Sequence, residues 1–454
     1  KLEMLSAEEL LSLSRYGINV DDNGGNVDWQ KEVLRTGISH NHNVSINGGQ
    51  GKTSYMASVT YNKIEGIIRN TDRTRLNIRT LVSSSILKDH LDLSLGANMV
   101  YGKHEGVAMN WHGESVIDAM NYYSPLNPKY NEDGSIFRVN ANPDKNYNPL
   151  SMLNEDTSAN NMKRQQLTAK ATLHIVKGLD WTANYSFNNN QRTNSTYYTH
   201  NSQVLPSKYN GKATRSTWLG EEHNFETFGN FSHTWNDQHK LSLMAGYSWE
   251  QTVRGDGFGV SVNNFYDDYV LWNNLTYGSN VFDGIKGVQS GVKETVRNIS
   301  FYGRVNYSFD SRYILQATVR RDGSSVFGKN NQWGTFPSFS AAWNISEEKF
   351  MQNQKALSTL KFRVGYGISG NAIGFGAYSA VATFGPDLNA PFNYTDENGN
   401  TSTYYSIIAT KNANPDLKWE STGMFNIGFD YGFLKDRING TIEFYNKKTN
   451  DLIW

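Results

Sequence analysis

The stretch FRVGYGISGNAIG, residues 362–374, decides how the chain is read. Its Gly365, Gly367 and Gly370 keep the spacing G-x-G-x-x-G, and Asp387 follows at about the distance of a ribose-binding acid. After a strand and before a helix, that spacing is a dinucleotide-binding fingerprint. Periodicity rejects it. Leu360, Phe362, Val364, Tyr366 and Ile368 are apolar, while Lys361, Arg363, Gly365, Gly367 and Ser369 are polar or tiny. A period of two runs through the first two glycines, which marks an amphipathic strand. Gly374, Gly376 and Gly385 then oppose a following helix, each costing about 1 kcal/mol inside one. The glycines are expected on the inward, polar face of that strand.

The same alternation recurs thirteen more times. Apolar residues occupy every second position around Val44–Ile46, Tyr55–Tyr61, Leu76–Val82, Leu91–Tyr101, Leu167–Ile175, Leu179–Phe187 and Phe225–Trp235. They do so again around Leu241–Trp249, Phe301–Phe309, Tyr313–Val319, Phe339–Ile345, Phe425–Tyr431 and Ile438–Phe444. The opposite positions are wet, as in Arg75, Asn77 and Arg79 or Gln316, Thr318 and Arg320. The connections alternate between tight turns and a mostly long set, at 103–163, 193–222, 254–297 and 370–417, with shorter members at 64–72 and 326–335. Strands of about ten residues joined in this way fit a transmembrane antiparallel β-barrel with tight periplasmic turns and long extracellular loops. Soluble domains rarely hold several such loops at one end.

Composition agrees. The 454 residues include 43 basic and 43 acidic side chains, no cysteine and 59 aromatics. Zero net charge without a basic run argues against nucleic acid. Without cysteine there are no disulfides and no thiolate metal sites. No apolar run reaches the 18 residues of a transmembrane helix. The opening KLEMLSAEELLSLSRYG reads as an acidic amphipathic segment, not a signal peptide.

Several blocks resemble the SusC/RagA family of TonB-dependent outer-membrane transporters: DWQKEVLRTG (28–37), NVSINGGQGKTSYMASVTYNKIEGII (43–68) and the long stretch 307–351. LKFRVGYGISGN (360–371) and residues 414–453 extend the likeness. The resemblance implies import of glycan or peptide fragments through a plugged 22-stranded barrel. It also implies a SusD-like surface lipoprotein as lid, TonB as energy source, and no chemistry on the substrate. About fourteen strands are visible, so the chain is expected to be an internal portion lacking the plug and C-terminal strands. Residues 1–40 would connect plug to barrel, and 41–454 would be partial barrel. An unplugged fourteen-stranded porin or adhesin is the alternative.

Site residues follow from residue type. In NWHGESVIDAMNYYSPLNPKYNEDG (110–134), Trp111, His112, Glu114, Tyr122 and Tyr123 offer aromatic platforms with polar neighbours for a sugar or peptide. Arg321, Asp322 and Trp333 sit where a strand leaves the membrane and could contact lid or rim. DENGN (396–400) and DDNGGN (21–26) lack the spacing of an EF-hand loop and read as turns. SHNH (39–42) has no third ligand. No catalytic arrangement, cofactor or metal is expected.

Overall fold

The computed structural model describes residues 3–109, 113–139, 147–205, 209–280, 288–291, 293–351, 353 and 356–452. In chain order its strands are β1 (Ser39–Gln50), β2 (Thr53–Glu65), β3 (Asp72–Ile86), β4 (Leu91–Gly106), β5 (Asp156–Val176), β6 (Leu179–Tyr198) and β7 (Lys212–Trp235). They continue as β8 (His239–Asp256), β9 (Phe258–Phe265), β10 (Gly278–Asn280), β11 (Val288–Ser290), β12 (Glu294–Phe309), β13 (Tyr313–Ser324) and β14 (Trp333–Asn344). The last are β15 (Leu357–Asn371), β16 (Thr383–Thr395), β17 (Thr401–Lys411), β18 (Glu420–Phe433) and β19 (Ile438–Asn450). Short helices α1 (Ala7–Ser12) and α2 (Trp29–Val33) precede β1, and α3 (Val116–Tyr122) and α4 (Pro149–Glu155) lie between β4 and β5.

Fourteen strands, β1–β8, β12–β15, β18 and β19, pair in one continuous antiparallel series. They are the fourteen amphipathic segments of the sequence. Among the described residues β1 pairs only with β2 and β19 only with β18, so the series is an unclosed arc. The tight turns bend through left-handed residues: Gly51, Lys88 and Asp89, Gly178, Asn236 and Asp237, Asp310 and Ser311, Lys435 and Asp436. Gly, Asn and Asp tolerate that region at little cost.

Register places the apolar side chains on one face. Tyr247, Phe301 and Arg321 are direct partners in a row, as are Leu243, Val305 and Ala317. Leu95, Leu167, Trp181, Val305, Leu315, Val319, Phe339 and Phe429 are all exposed. A band of exposed apolar side chains this extensive is a lipid-facing surface. The other face is polar and internally bonded. Arg363 binds Asp430 through two 2.9 Å hydrogen bonds, and Tyr302 reaches across Gly246 to donate to Glu226 at 2.7 Å. The decisive glycines Gly365 and Gly367 lie opposite Ser340 and Ser338 on this polar face. Gly370 instead makes room for an aromatic ring, since a Cβ there would come 2.1 Å from Cζ of the Phe336 ring.

The strands are longer than the sequence pattern indicates. β5, β6 and β7 run for 21, 20 and 24 residues. Their apolar alternation covers only the half nearest the tight turns. The remainder, such as DTSANNMKRQQ of β5, has no continuous apolar face and is still paired. Loops expected at 103–163 and 193–222 are therefore confined to 107–155 and 199–211. The excess is explained by neighbours: once strands pair in the membrane, the ladder continues into water without an apolar face. Strands β9–β11 likewise extend this end beside β7. β16 and β17 form a separate hairpin within 370–417.

Candidate ligand-handling rim

The long-loop end of the arc carries a folded roof. Val27, Trp29 and Val33 pack with Val116, Ala119, Met120 and Tyr123, and with Leu150, Met152 and Leu153. Each helix begins on a side-chain cap: Asp28 for α2, Ser115 with Asp118 in a reciprocal box for α3, and Asn148 before Pro149 for α4. Such caps satisfy amides that a five- to seven-residue helix leaves bare. Backbone bonds from Gly25 to Leu126 and from Val27 to Pro125 tie the N-terminal segment to the loop. The segment expected to connect plug and barrel is thus part of this roof, and β1 leaves it at Ser39.

Asn148 is fully buried and binds the Lys129 and Phe137 carbonyls, while its amide donates to Gln203. Nearby, His200 sits between Asp268 at 2.9 Å and the Phe265 carbonyl at 2.8 Å, and Tyr197 also donates to Asp268. Asp156 is 2 % exposed, and among the described residues neither carboxylate oxygen meets a hydrogen-bond partner at full hydrogen-bond geometry, the Ser202 hydroxyl lying nearby. Burial pushes its carboxyl well above the usual range, and the adjacent Glu155 charge adds to the rise. Burial lifts Glu155 to about 6 despite the Ser151 hydroxyl bonded to it.

These raised values have a sign. The folded roof holds protons that the unfolded chain releases near pH 4.5, so its stability falls as pH rises from about 4.5 through 6. Amide protection across 147–205, taken relative to the intrinsic base-catalysed rate at each pH, is expected to fall over that interval, and Glu155→Gln to flatten the dependence. A wild-type profile already flat over that interval would contradict the assignment.

The sequence-derived site residues fall in different places. Trp111 and His112 lie outside the described residues. Tyr122 is half exposed and donates to Glu114 at 2.9 Å, giving a phenol–carboxylate pair on the roof surface. Tyr123 is 1 % exposed and meets Trp29 edge-on at 5.0 Å, so it packs the roof instead of offering a platform.

Arg321, Asp322 and Trp333 do not form one contact surface. Arg321 stacks on Trp333 at 5.6 Å on the apolar outer face, beside Phe301. Asp322 lies on the polar face and holds Arg320 at 2.7 Å. Alternation requires this split, because neighbours on a strand point to opposite faces.

DDNGGN and DENGN are turns held by their own aspartates: Asp22 accepts from the Gly24 amide, and Asp396 from those of Asn398 and Asn400. His40 and His42 stack on edge strand β1, and no group of three metal ligands occurs among the described residues. Sequence reasoning overlooked Tyr130, Tyr266 and Tyr269, aromatics exposed at this same end, Tyr269 by 93 %. It also overlooked the exposed Phe384, Phe392, Tyr404 and Ile407 of the β16–β17 hairpin. An isolated two-stranded hairpin is marginal in water and gains stability by packing on something larger.

A lipid-facing antiparallel arc with a loop-built roof defines a transmembrane β-barrel of the outer-membrane type. The family description "TonB dependent receptor-like, beta-barrel" matches residues 110–453. The chain belongs to that family. It is 30 % identical to the TonB-dependent receptor SusC of Bacteroides thetaiotaomicron over 94 % of this chain and 43 % of that protein. It is 28 % identical to TonB-dependent receptor P3 of Formosa agariphila over 100 % of this chain and 44 % of that one. The chain thus spans less than half the length of these relatives. Among solved structures, the RagAB peptide transporter shares its fold at a TM-score of 0.77, with 21 % identity, over 95 % of this chain and 46 % of that one.

Proposed function

We propose that this chain is the partial barrel of a bacterial outer-membrane importer that takes up oligomeric glycan or peptide fragments with energy from TonB. The observation that carries the reading is the unclosed arc: after fourteen strands, β1 and β19 still do not meet. A fourteen-stranded porin would close at that point, whereas the barrel of a large plugged importer would not. Its SusC relative and its likeness to the RagAB transporter point the same way. In this reading the tight turns are periplasmic and the roof is extracellular.

The exposed Phe384, Phe392 and Ile407 of the β16–β17 hairpin would meet a SusD-like lipoprotein, removing apolar surface from water. Tyr122 with Glu114, and Trp111 with His112 in the same loop, would hold the oligomer through ring faces and carboxylate hydrogen bonds. Rim chemistry does not separate sugars from peptides, and no residue is assigned a catalytic role.

The test is labelled-oligomer uptake by cells expressing the full-length protein. Uptake should vanish without TonB and fall about tenfold or more in Trp111→Ala/Tyr122→Ala, the loss of two aromatic contacts. Uptake that persists without TonB would mean a passive channel.

A further inference from the structure

Directly beyond the apolar belt, on the same outward face and at the long-loop end, the strands present a collar of cations. Lys63 stands two residues past Tyr61 on β2, and Lys103 two past Tyr101 on β4. Lys163 is the direct β5 partner of Tyr101. Arg321 is the direct partner of Phe301, and Arg297 lies four residues beyond Phe301 on β12. Lys448 lies four beyond Phe444 on β19.

Acids on this face come later or are engaged. Glu65 and Glu105 each stand one rung farther out than the lysine on their own strand, Glu105 bonded to Lys103 at 2.5 Å. Asp72 is held by Arg35 at 2.8 Å. Glu221 on β7 is the exception, preceding any cation on its strand. Below the collar the outward positions of the belt carry no Asp, Glu, Lys or Arg among the described residues.

We infer that this collar binds the phosphate groups of anionic lipid headgroups in the leaflet at the long-loop end. The belt fixes where the acyl chains end, and the next rung is where headgroup phosphates lie. Long Lys and Arg side chains keep their stems on apolar surface and extend their charge to that level. Arg321 has this posture: its guanidinium lies over the Trp333 ring, and Trp333 stacks on Phe301 of the belt. Lys63, Lys163 and Lys448 have no acidic partner within ion-pair distance among the described residues. Each basic residue near an anionic leaflet adds severalfold to binding. The inference depends on the membrane-spanning arc alone and not on what is transported.

Native mass spectrometry of the detergent-solubilised full-length protein tests it, with phosphatidic acid as probe and phosphatidylcholine as reference. Lys103→Gln/Lys163→Gln/Arg297→Gln/Arg321→Gln is compared with Arg75→Gln/Arg79→Gln/Arg164→Gln/Arg304→Gln, which removes equal charge from the polar face. Wild type and the polar-face variant should retain phosphatidic acid preferentially. The collar variant should lose that preference about a hundredfold or more, the severalfold effect compounded over four cations. Two half-variants, Lys103→Gln/Lys163→Gln and Arg297→Gln/Arg321→Gln, should each show an intermediate loss, and they serve if the fourfold variant does not fold. Undiminished retention in the collar variants, or equal loss in the polar-face variant, would overturn the assignment.

Discussion

Arg in place of Leu315 or Val319 is expected to abolish heat-modifiable, membrane-inserted protein, while Gln316→Arg and Thr318→Arg assemble normally. All four positions lie within six residues of one β13 strand, Tyr313–Ser324. Leu315 and Val319 are exposed on the outer face, whereas Gln316 and Thr318 pair with Asn306 and Arg304 on the polar one. An Arg facing lipid near mid-membrane costs about 2–4 kcal/mol, and in water-filled space almost nothing. That is a sizeable share of the about 5–15 kcal/mol by which a folded protein is stable. Semi-native electrophoresis of membranes reads the result. Equal tolerance at both parities would sink the assignment of faces.

The second large effect concerns the roof. Trp29 is 3 % exposed, donates from its indole nitrogen to the Ser124 carbonyl at 2.9 Å and lies against Tyr123. Trp29→Ala removes that ring and leaves a cavity among Val33, Met120 and Leu150, at a cost of about 3–5 kcal/mol. The roof should then open locally while the strands stay paired, because its helices have five to seven residues and depend on packing. Limited proteolysis should cut within 107–155 while heat-modifiability persists. Trp29→Phe should resist better. Protease resistance equal to wild type in Trp29→Ala would show that the roof is held by its backbone bonds alone.

The strands were legible because lipid imposes a rule on every second residue. Leu315, Ala317 and Val319 could be read as a face without knowing their partners. The upper halves of β5–β7 escaped because no lipid face imposes a period of two there. Some residues are solvated, while Asp156, Ala159, Tyr197 and Ala213 are buried among loops and neighbouring strands, and only pairing with a neighbour keeps NNMKRQQ extended. The β16–β17 hairpin escaped for another reason: Pro386 and Pro391 interrupt its first strand, and its register shifts between them. α3 and α4 left only their caps in the sequence, and seven helical positions apiece are too few for a periodic signal.

At the rim, alternation contained more than the motif did. Arg321 shares parity with Val319 and so belonged outside, while Asp322 belonged inside; grouping Arg321, Asp322 and Trp333 as one contact concealed this. Tyr123 could not be told from Tyr122 by type. Burial against Trp29, which is 94 positions earlier, separates them.

The bare flanks of the arc have a practical corollary for anyone handling this span by itself. β1 offers 12 residues and β19 offers 13, and about half of each set directs its amide and carbonyl away from its sole partner. Hydrocarbon supplies no substitute for those missing bonds, so the span cannot sit in a bilayer until both seams are zipped. In water the same seams are adhesive templates, and the alternating strands Ser39–Gln50 and Ile438–Asn450 pair without a register shift, so no bulge discourages stacking. Excised and refolded without detergent, the fragment should therefore grow edge to edge into sheets of many copies.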